Sequence, residues 1–172
     1  MSLPELGAAM KAIQDSYPDE LSHCYGCGRL NRDGLQIKSV WNGCEAIARF
    51  TPFSYHTAVP GYVYGGLLAS LIDCHGTGTA AAAAYAAARR EPGTAPYLRY
   101  LTASLRVNFL RPTPLGPELV IHGRVKEMSG RKVIVEAWIE ANGETTVQGE
   151  VVAVQVPEHL LTNLLNQGER ED

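Results

Sequence analysis

"PGYVYGGLLASLIDCHGTGTAAAAAYAAARR", Pro60 to Arg90, is a glycine-rich entry into a long apolar run that carries a single carboxylate. Its alanine and leucine content favours helix, and Pro92-Gly93 just beyond Arg90 cannot continue one. At about 100° per residue from Gly66, one stripe collects Gly66, Ala69, Ser70, Asp73, Thr77, Ala80 and Ala84. The opposite side collects Leu67, Leu68, Leu71, Ile72, His75 and Tyr85. The second is the expected core face. The first, small and polar, is able to lie close to another backbone or to line a narrow cavity. Asp73 is the one carboxylate in the stretch, and its small and apolar neighbours keep it partly dry, which makes it a candidate base. His75 falls on the far side and reads as a packed, hydrogen-bonded histidine outside the chemistry.

Gly65 and Gly66 open the helix, where N–H groups have no intrahelical acceptor and a missing Cβ lets a substrate approach the backbone. An N–H at that end, reinforced by the helix dipole, suits a developing oxyanion. Gly66 and Asp73 are separated by about 10 Å along the axis. That is too far for one reacting carbonyl to meet an oxyanion donor and an attacking group together. Two antiparallel copies of the helix resolve the geometry, with Gly66 of one chain facing Asp73 of the other. A homodimer with interfacial sites is therefore expected.

Outward from the helix, Pro4 to Ser16 reads as a short helix with Leu6, Met10 and Ile13 on one side. "SYPDELSHCYGCGRLNRDG" reads as loop. "GLQIKSVW" and "CEAIARF" are strand candidates joined by Asn42-Gly43, a hairpin signal. Beyond the helix, "TASLRVNFLR" alternates Ala103, Leu105, Val107 and Phe109, an expected buried face, against Ser104, Arg106 and Asn108. "PELVIHGRVKEM", "RKVIVEAWIE" and "TTVQGEVVAVQV" are separated by Ser129-Gly130 and Asn142-Gly143, tight-turn pairs that predict an antiparallel meander. The tail after Pro157 reads as a short helix running into charges. Two strands, a helix and four strands, without βαβ alternation, give an α+β chain in which an antiparallel sheet curls around one helix. The expected division is an N-terminal helix and loop (1–23), a main domain (24–157) and a C-terminal helix and tail (158–172).

With 172 residues, 45% apolar and 19% charged, the composition is that of a globular domain with a substantial core. A net charge of −3 without a basic block argues against nucleic-acid binding. No apolar run reaches the roughly 20 residues of a membrane span. The first residues carry neither a secretory nor a transit pattern, so a cytoplasmic protein is expected. The four cysteines then read as free thiols or ligands. His23, Cys24 and Cys27 have zinc-knuckle spacing, with Cys44 a possible third ligand. One CxxC lacks the four ligands of a structural zinc, so a tight turn is the stronger reading, and no metal or cofactor is assigned.

"YVYGGLLASLID", "TASLRVNFLRPTPLG" and "VKEMSGRKVIVEAWI" resemble the hotdog-fold acyl-CoA thioesterases of the PaaI-like kind. "CYGCGRLNRDGLQIK" is similar to a segment found in part of that superfamily, and the resemblance spans about residues 24 to 156. It implies a helix wrapped by an antiparallel sheet, dimers or dimers of dimers, and hydrolysis of an acyl-CoA at the dimer interface. Carried over by position, Asp73 would be nucleophile or general base, the Gly66 N–H would hold the thioester oxygen, and Thr102 would help orient water. Tyr64, Gly65, Ser70, Thr77 and Asn108 would line the substrate site, and Arg111, Arg131 and Lys132 would meet coenzyme A phosphates. Tyr64 departs from the histidine that precedes the glycines in the family. A tyrosine does not titrate near neutrality, so an acyl-CoA or acyl-carrier binding protein without turnover is the second reading. A hotdog dehydratase or hydratase comes third, because the helix offers no histidine paired with an acidic residue.

Overall fold

The computed structural model describes residues 10–168. The chain folds as β1 (Ser39–Trp41), β2 (Ala46–Phe50), α1 (Gly65–Ala87), β3 (Tyr100–Phe109), β4 (Leu119–Ser129), β5 (Lys132–Ala141), β6 (Glu144–Gln155) and α2 (Glu158–Gly168). All six strands join one antiparallel sheet in the order β1-β2-β4-β5-β6-β3, and every one of them contacts α1, around which the sheet curls.

The meander β4-β5-β6 forms where the turn chemistry puts it. Asn142 and Gly143 both take positive φ, 53° and 78°, as the tight β5–β6 turn requires. The core lies between the inner sheet face and α1. Leu71, Ile72, Ile121, Ile139, Val135, Val147 and Val151 are all sealed from solvent. Glycines set the helix-to-sheet distance. A Cβ on Gly76 would sit 2.5 Å from the Val151 side chain, and one on Gly149 would sit 2.6 Å from Ile72.

The structure departs from expectation in four places. Only Ser39–Trp41 of "GLQIKSVW" is regular strand. Gln36 takes a φ of 51°, and the N–H groups of Leu35 and Ile37 bond to the carbonyls of Tyr25 and Gly26 in the cysteine loop. Ala103, Leu105 and Phe109 are exposed rather than buried. They lie on β3, a sheet edge that only β6 covers, and a bulge between Thr102 and Ser104 interrupts the alternation. On the helix, Thr77 and Ala80 of the small stripe are buried, whereas Gly66, Ala69, Ser70 and Asp73 stay half-exposed. Of the expected N-terminal helix, Pro4–Ala9 lies outside the described residues. Ile13–Ser16 is a single 3-10 turn whose Ile13 and Gln14 are buried, close against Gly78 of α1. No helix among the described residues is long and apolar enough to cross a membrane.

Candidate active site

The loop before α1 is pinned at both ends. The Val63 N–H bonds to the Thr113 carbonyl at 2.9 Å, and the Tyr64 N–H bonds to the His56 carbonyl at 2.9 Å. Tyr64 is the N-cap residue and supplies no side-chain cap. Among the described residues, the N–H groups of Gly65 and Gly66 have no acceptor, the condition for an anion site at a helix start. The Tyr64 ring folds back over Gly66, so that a Cβ there would lie 2.4 to 2.7 Å from ring atoms. A larger residue here would have to displace the exposed Tyr64 ring. A groove of about 300 Å³ opens beside it, lined by Tyr25, Tyr55, His56, Tyr64, Gly66 and Ser70 among others. Ser70 donates to the Gly66 carbonyl at 2.9 Å.

Asp73 lies two turns further along. The Thr102 hydroxyl, from the strand side of the β3 bulge, donates to Asp73 Oδ1. Two expected site residues from distant parts of the chain are thus in direct contact. His75, two residues on, faces the other way and is fully buried. Its Nε2 lies 3.1 Å from the Ala46 carbonyl and must donate to it. Its Nδ1 therefore accepts from the Ser39 hydroxyl at 2.9 Å. Burial lowers the His75 pKa to about 4, so the ring is neutral.

The other expected residues separate into groups. Gly65 lies against the Phe109 ring, 3.3 Å from where its Cβ would be, and borders a second groove with Phe109, Leu110 and Arg111. Arg111 pairs with Glu144 at 3.0 Å. Thr77 is buried and its hydroxyl bonds to the Cys74 carbonyl at 3.1 Å, so it lines neither groove. Asn108 borders a separate outer depression with Arg106 and Trp138. Arg131 and Lys132 are exposed at the β4–β5 turn, where Lys132 pairs with Val154 of β6. This is the Thr102 end of β3, opposite the Arg111 end. Sequence reasoning missed Tyr25, Tyr55 and His56. The Phe53 N–H donates to His56 Nδ1 at 3.0 Å, which leaves Nε2–H as the free donor of that ring. The signal was the aromatic density of "TPFSYHTAVPGYVYGG".

Comparison with known proteins agrees with this architecture. A thioesterase superfamily protein from Shewanella loihica PV-4 is 45% identical, with a TM-score of 0.61, over 82% of this chain and 100% of that one. The Escherichia coli PaaI protein from the phenylacetic acid degradation operon shares the fold at 18% identity and a TM-score of 0.56, over 72% of this chain and 81% of that one. Mouse acyl-coenzyme A thioesterase THEM4 is 32% identical over 134 residues, 75% of this chain and 52% of that protein. The chain thus spans about half the length of this relative. The helix wrapped in antiparallel sheet is the hotdog arrangement expected from sequence. Residues 60–148, from the glycine entry into the first half of β6, match the Thioesterase superfamily family model over more than half of the chain, and the protein belongs to that superfamily.

Proposed function

We propose that the protein hydrolyses an acyl-CoA thioester to the free acid and coenzyme A, at a site shared by two chains. The contact between Thr102 and Asp73 carries this reading. The hydroxyl engages one carboxylate oxygen, and the other oxygen of this half-exposed side chain would take a proton from water. The water oxygen would attack the thioester carbonyl, whose oxygen becomes anionic against the Gly66 N–H of the partner copy. Collapse would break the C–S bond and release the coenzyme A thiolate. Direct attack by Asp73, giving an anhydride that water then opens, uses the same contacts.

The dimer is supported by β3. Leu101, Leu105 and Phe109 are exposed along an unpaired edge ten residues long, a feature that single chains ordinarily avoid. α1 runs antiparallel to β3, with Gly65 at Phe109 and Asp73 at Thr102. A two-fold axis at this edge would set Gly66 of one copy near Asp73 of the other, and Arg111 near the partner turn that bears Arg131 and Lys132. These cations would then share one coenzyme A. A dimer of dimers would keep this unit. The free thiols of Cys24, Cys27, Cys44 and Cys74 support action in the cytoplasm. The second reading, binding without turnover, is favoured by one observation: Tyr64 shields Gly66. Thiol release from a panel of aromatic and medium-chain acyl-CoAs separates the two. Turnover by wild type, absent in Asp73→Ala, is expected, whereas binding without turnover overturns the enzyme reading. Sedimentation showing an active monomer would end the shared-site reading.

A further inference from the structure

The cysteine loop and the central helix build a sulfur cluster. The Sγ atoms of Cys24, Cys27 and Cys74 all lie within 4.8 Å of one another. Those of Cys24 and Cys74, fifty positions apart, are separated by 3.7 Å. Two thiolates at about 2.3 Å from a tetrahedral zinc ion stand about 3.8 Å apart. The loop is shaped for this approach. A Cβ on Gly26 would lie 2.2 Å from Cys74 Sγ, so only glycine admits the helix sulfur. Gly28 closes the turn with an N–H bond to the Cys24 carbonyl at 2.7 Å, and the backbone pairs of Tyr25 with Leu35 and Gly26 with Ile37 hold the loop in place.

We propose that Cys24, Cys27 and Cys74 bind one thiophilic divalent cation of the zinc type, with the fourth position open at the partly exposed Cys24. Three thiolates and a divalent ion carry one net negative charge. Arg99, one guanidinium nitrogen of which lies 4.0 Å from Cys27 Sγ, offsets it. The other guanidinium nitrogen is buried and has no hydrogen-bond partner among the described residues. Metal binding would release the protons of the three thiols. Cys44 is exposed in the β1–β2 turn, bonded to Asn42, and takes no part. The cation would staple the loop to α1 one residue from Asp73 and so fix Tyr25, a wall of the groove beside Gly66. This site is independent of the reaction proposed above.

Cobalt(II) tests it on the full chain, reduced and stripped of metal. Wild type and Cys44→Ser are expected to take up one cobalt per chain with thiolate-to-cobalt charge-transfer absorption, displaced by zinc(II), together with a raised melting temperature. Cys24→Ser, on the partly exposed loop, and Cys74→Ser are each expected to lose that absorption, with folding checked by circular dichroism. Absence of the absorption in wild type overturns the proposal whatever the variants do. Absorption that persists in a folded Cys74→Ser chain, or that vanishes in Cys44→Ser, overturns the ligand set.

Discussion

Asp73 and His75 stand two residues apart on one helix, and the fold treats them in opposite ways. His75 is sealed in the core with both ring nitrogens engaged, inside a chain of bonds that runs from Gln14 through Ser39 to the Ala46 carbonyl. Asp73 is half-exposed, and among the described residues its carboxylate has Thr102 as its one side-chain partner. A two-residue step turns a helical side chain by about 200°, which is enough to move it from the sheet face to the open stripe. A fully satisfied ionisable group contributes to stability, and one with an oxygen left over is available for chemistry. The histidine is the residue type more often used in catalysis, yet here its surroundings leave it nothing to donate or accept.

The largest effect follows from the available group. Asp73→Asn is expected to lower kcat by about 10²- to 10⁴-fold, with a melting temperature close to wild type, as steady-state thiol release and thermal melts would show. Retained kcat in that variant would mean that the Asp73 carboxylate takes no part in the reaction. The satisfied group behaves in reverse. His75→Leu leaves the Ser39 hydroxyl and the Ala46 carbonyl without their partner in the core and is expected to cost about 3 kcal/mol, read from urea midpoints. Turnover per folded molecule should be unchanged.

Acid gives the same contrast without a mutation. The folded-state pKa of His75, about 4, lies below its ordinary value of 6.5. As pH falls below about 6.5 the unfolded chain takes up this proton while the folded chain resists it until about pH 4. The contribution is therefore complete above that window and is lost through it, by about 3 kcal/mol in all. Denaturation midpoints followed from pH 7 to 4 should fall more steeply in wild type than in His75→Gln. Parallel slopes would mean that the ring is not buried neutral.

Much of this was legible from residue order. The faces of the first half of α1 follow from a 3.6-residue period, and the β4-β5-β6 meander follows from Ser-Gly and Asn-Gly pairs, because both depend on neighbours in sequence. What was hidden depends on pairing between distant segments. Leu105 and Phe109 alternate like core residues, but the sheet order that leaves β3 at an edge is not written in β3. Gln36 looks like strand, and the loop at Tyr25 and Gly26 claims the backbone beside it. Cys74 reads from sequence as a free thiol or ligand, with nothing near it in the chain to join it to Cys24 and Cys27. Its place beside Cys24 depends on a loop closing over the helix fifty positions away. Asp73 was legible as a candidate because its oddity is local, whereas the contribution of His56 to the groove required the loop to be folded.

Thr102 holds Asp73 from the strand side. Thr102→Val keeps the shape and removes its bond to the Asp73 carboxylate, so kcat is expected to fall about tenfold, near the lower end for a hydrogen bond to a charged group. Stability should change little, since β3 is an edge strand. A Thr102→Ser variant should recover most of the loss. If valine leaves kcat intact, the contact positions nothing that the reaction uses.

Tyr64, at the other end of α1, carries the smallest expected effect. Its ring covers Gly66, and its hydroxyl has no hydrogen-bond partner among the described residues. Shape rather than proton transfer is the role this geometry supports. Tyr64→Phe should then keep kcat within about threefold, below 1 kcal/mol, in the same thiol-release assay. Tyr64→His restores the residue that the resemblance places before the glycines, beside a groove that already holds His56. If the tyrosine only shelters the glycine turn, the histidine variant gains little at neutral pH. A large gain in kcat, with a new titration in the pH profile, would show that a proton donor was missing at Gly66. The difference between the two ends of the helix would then lie in Tyr64 and not in Asp73.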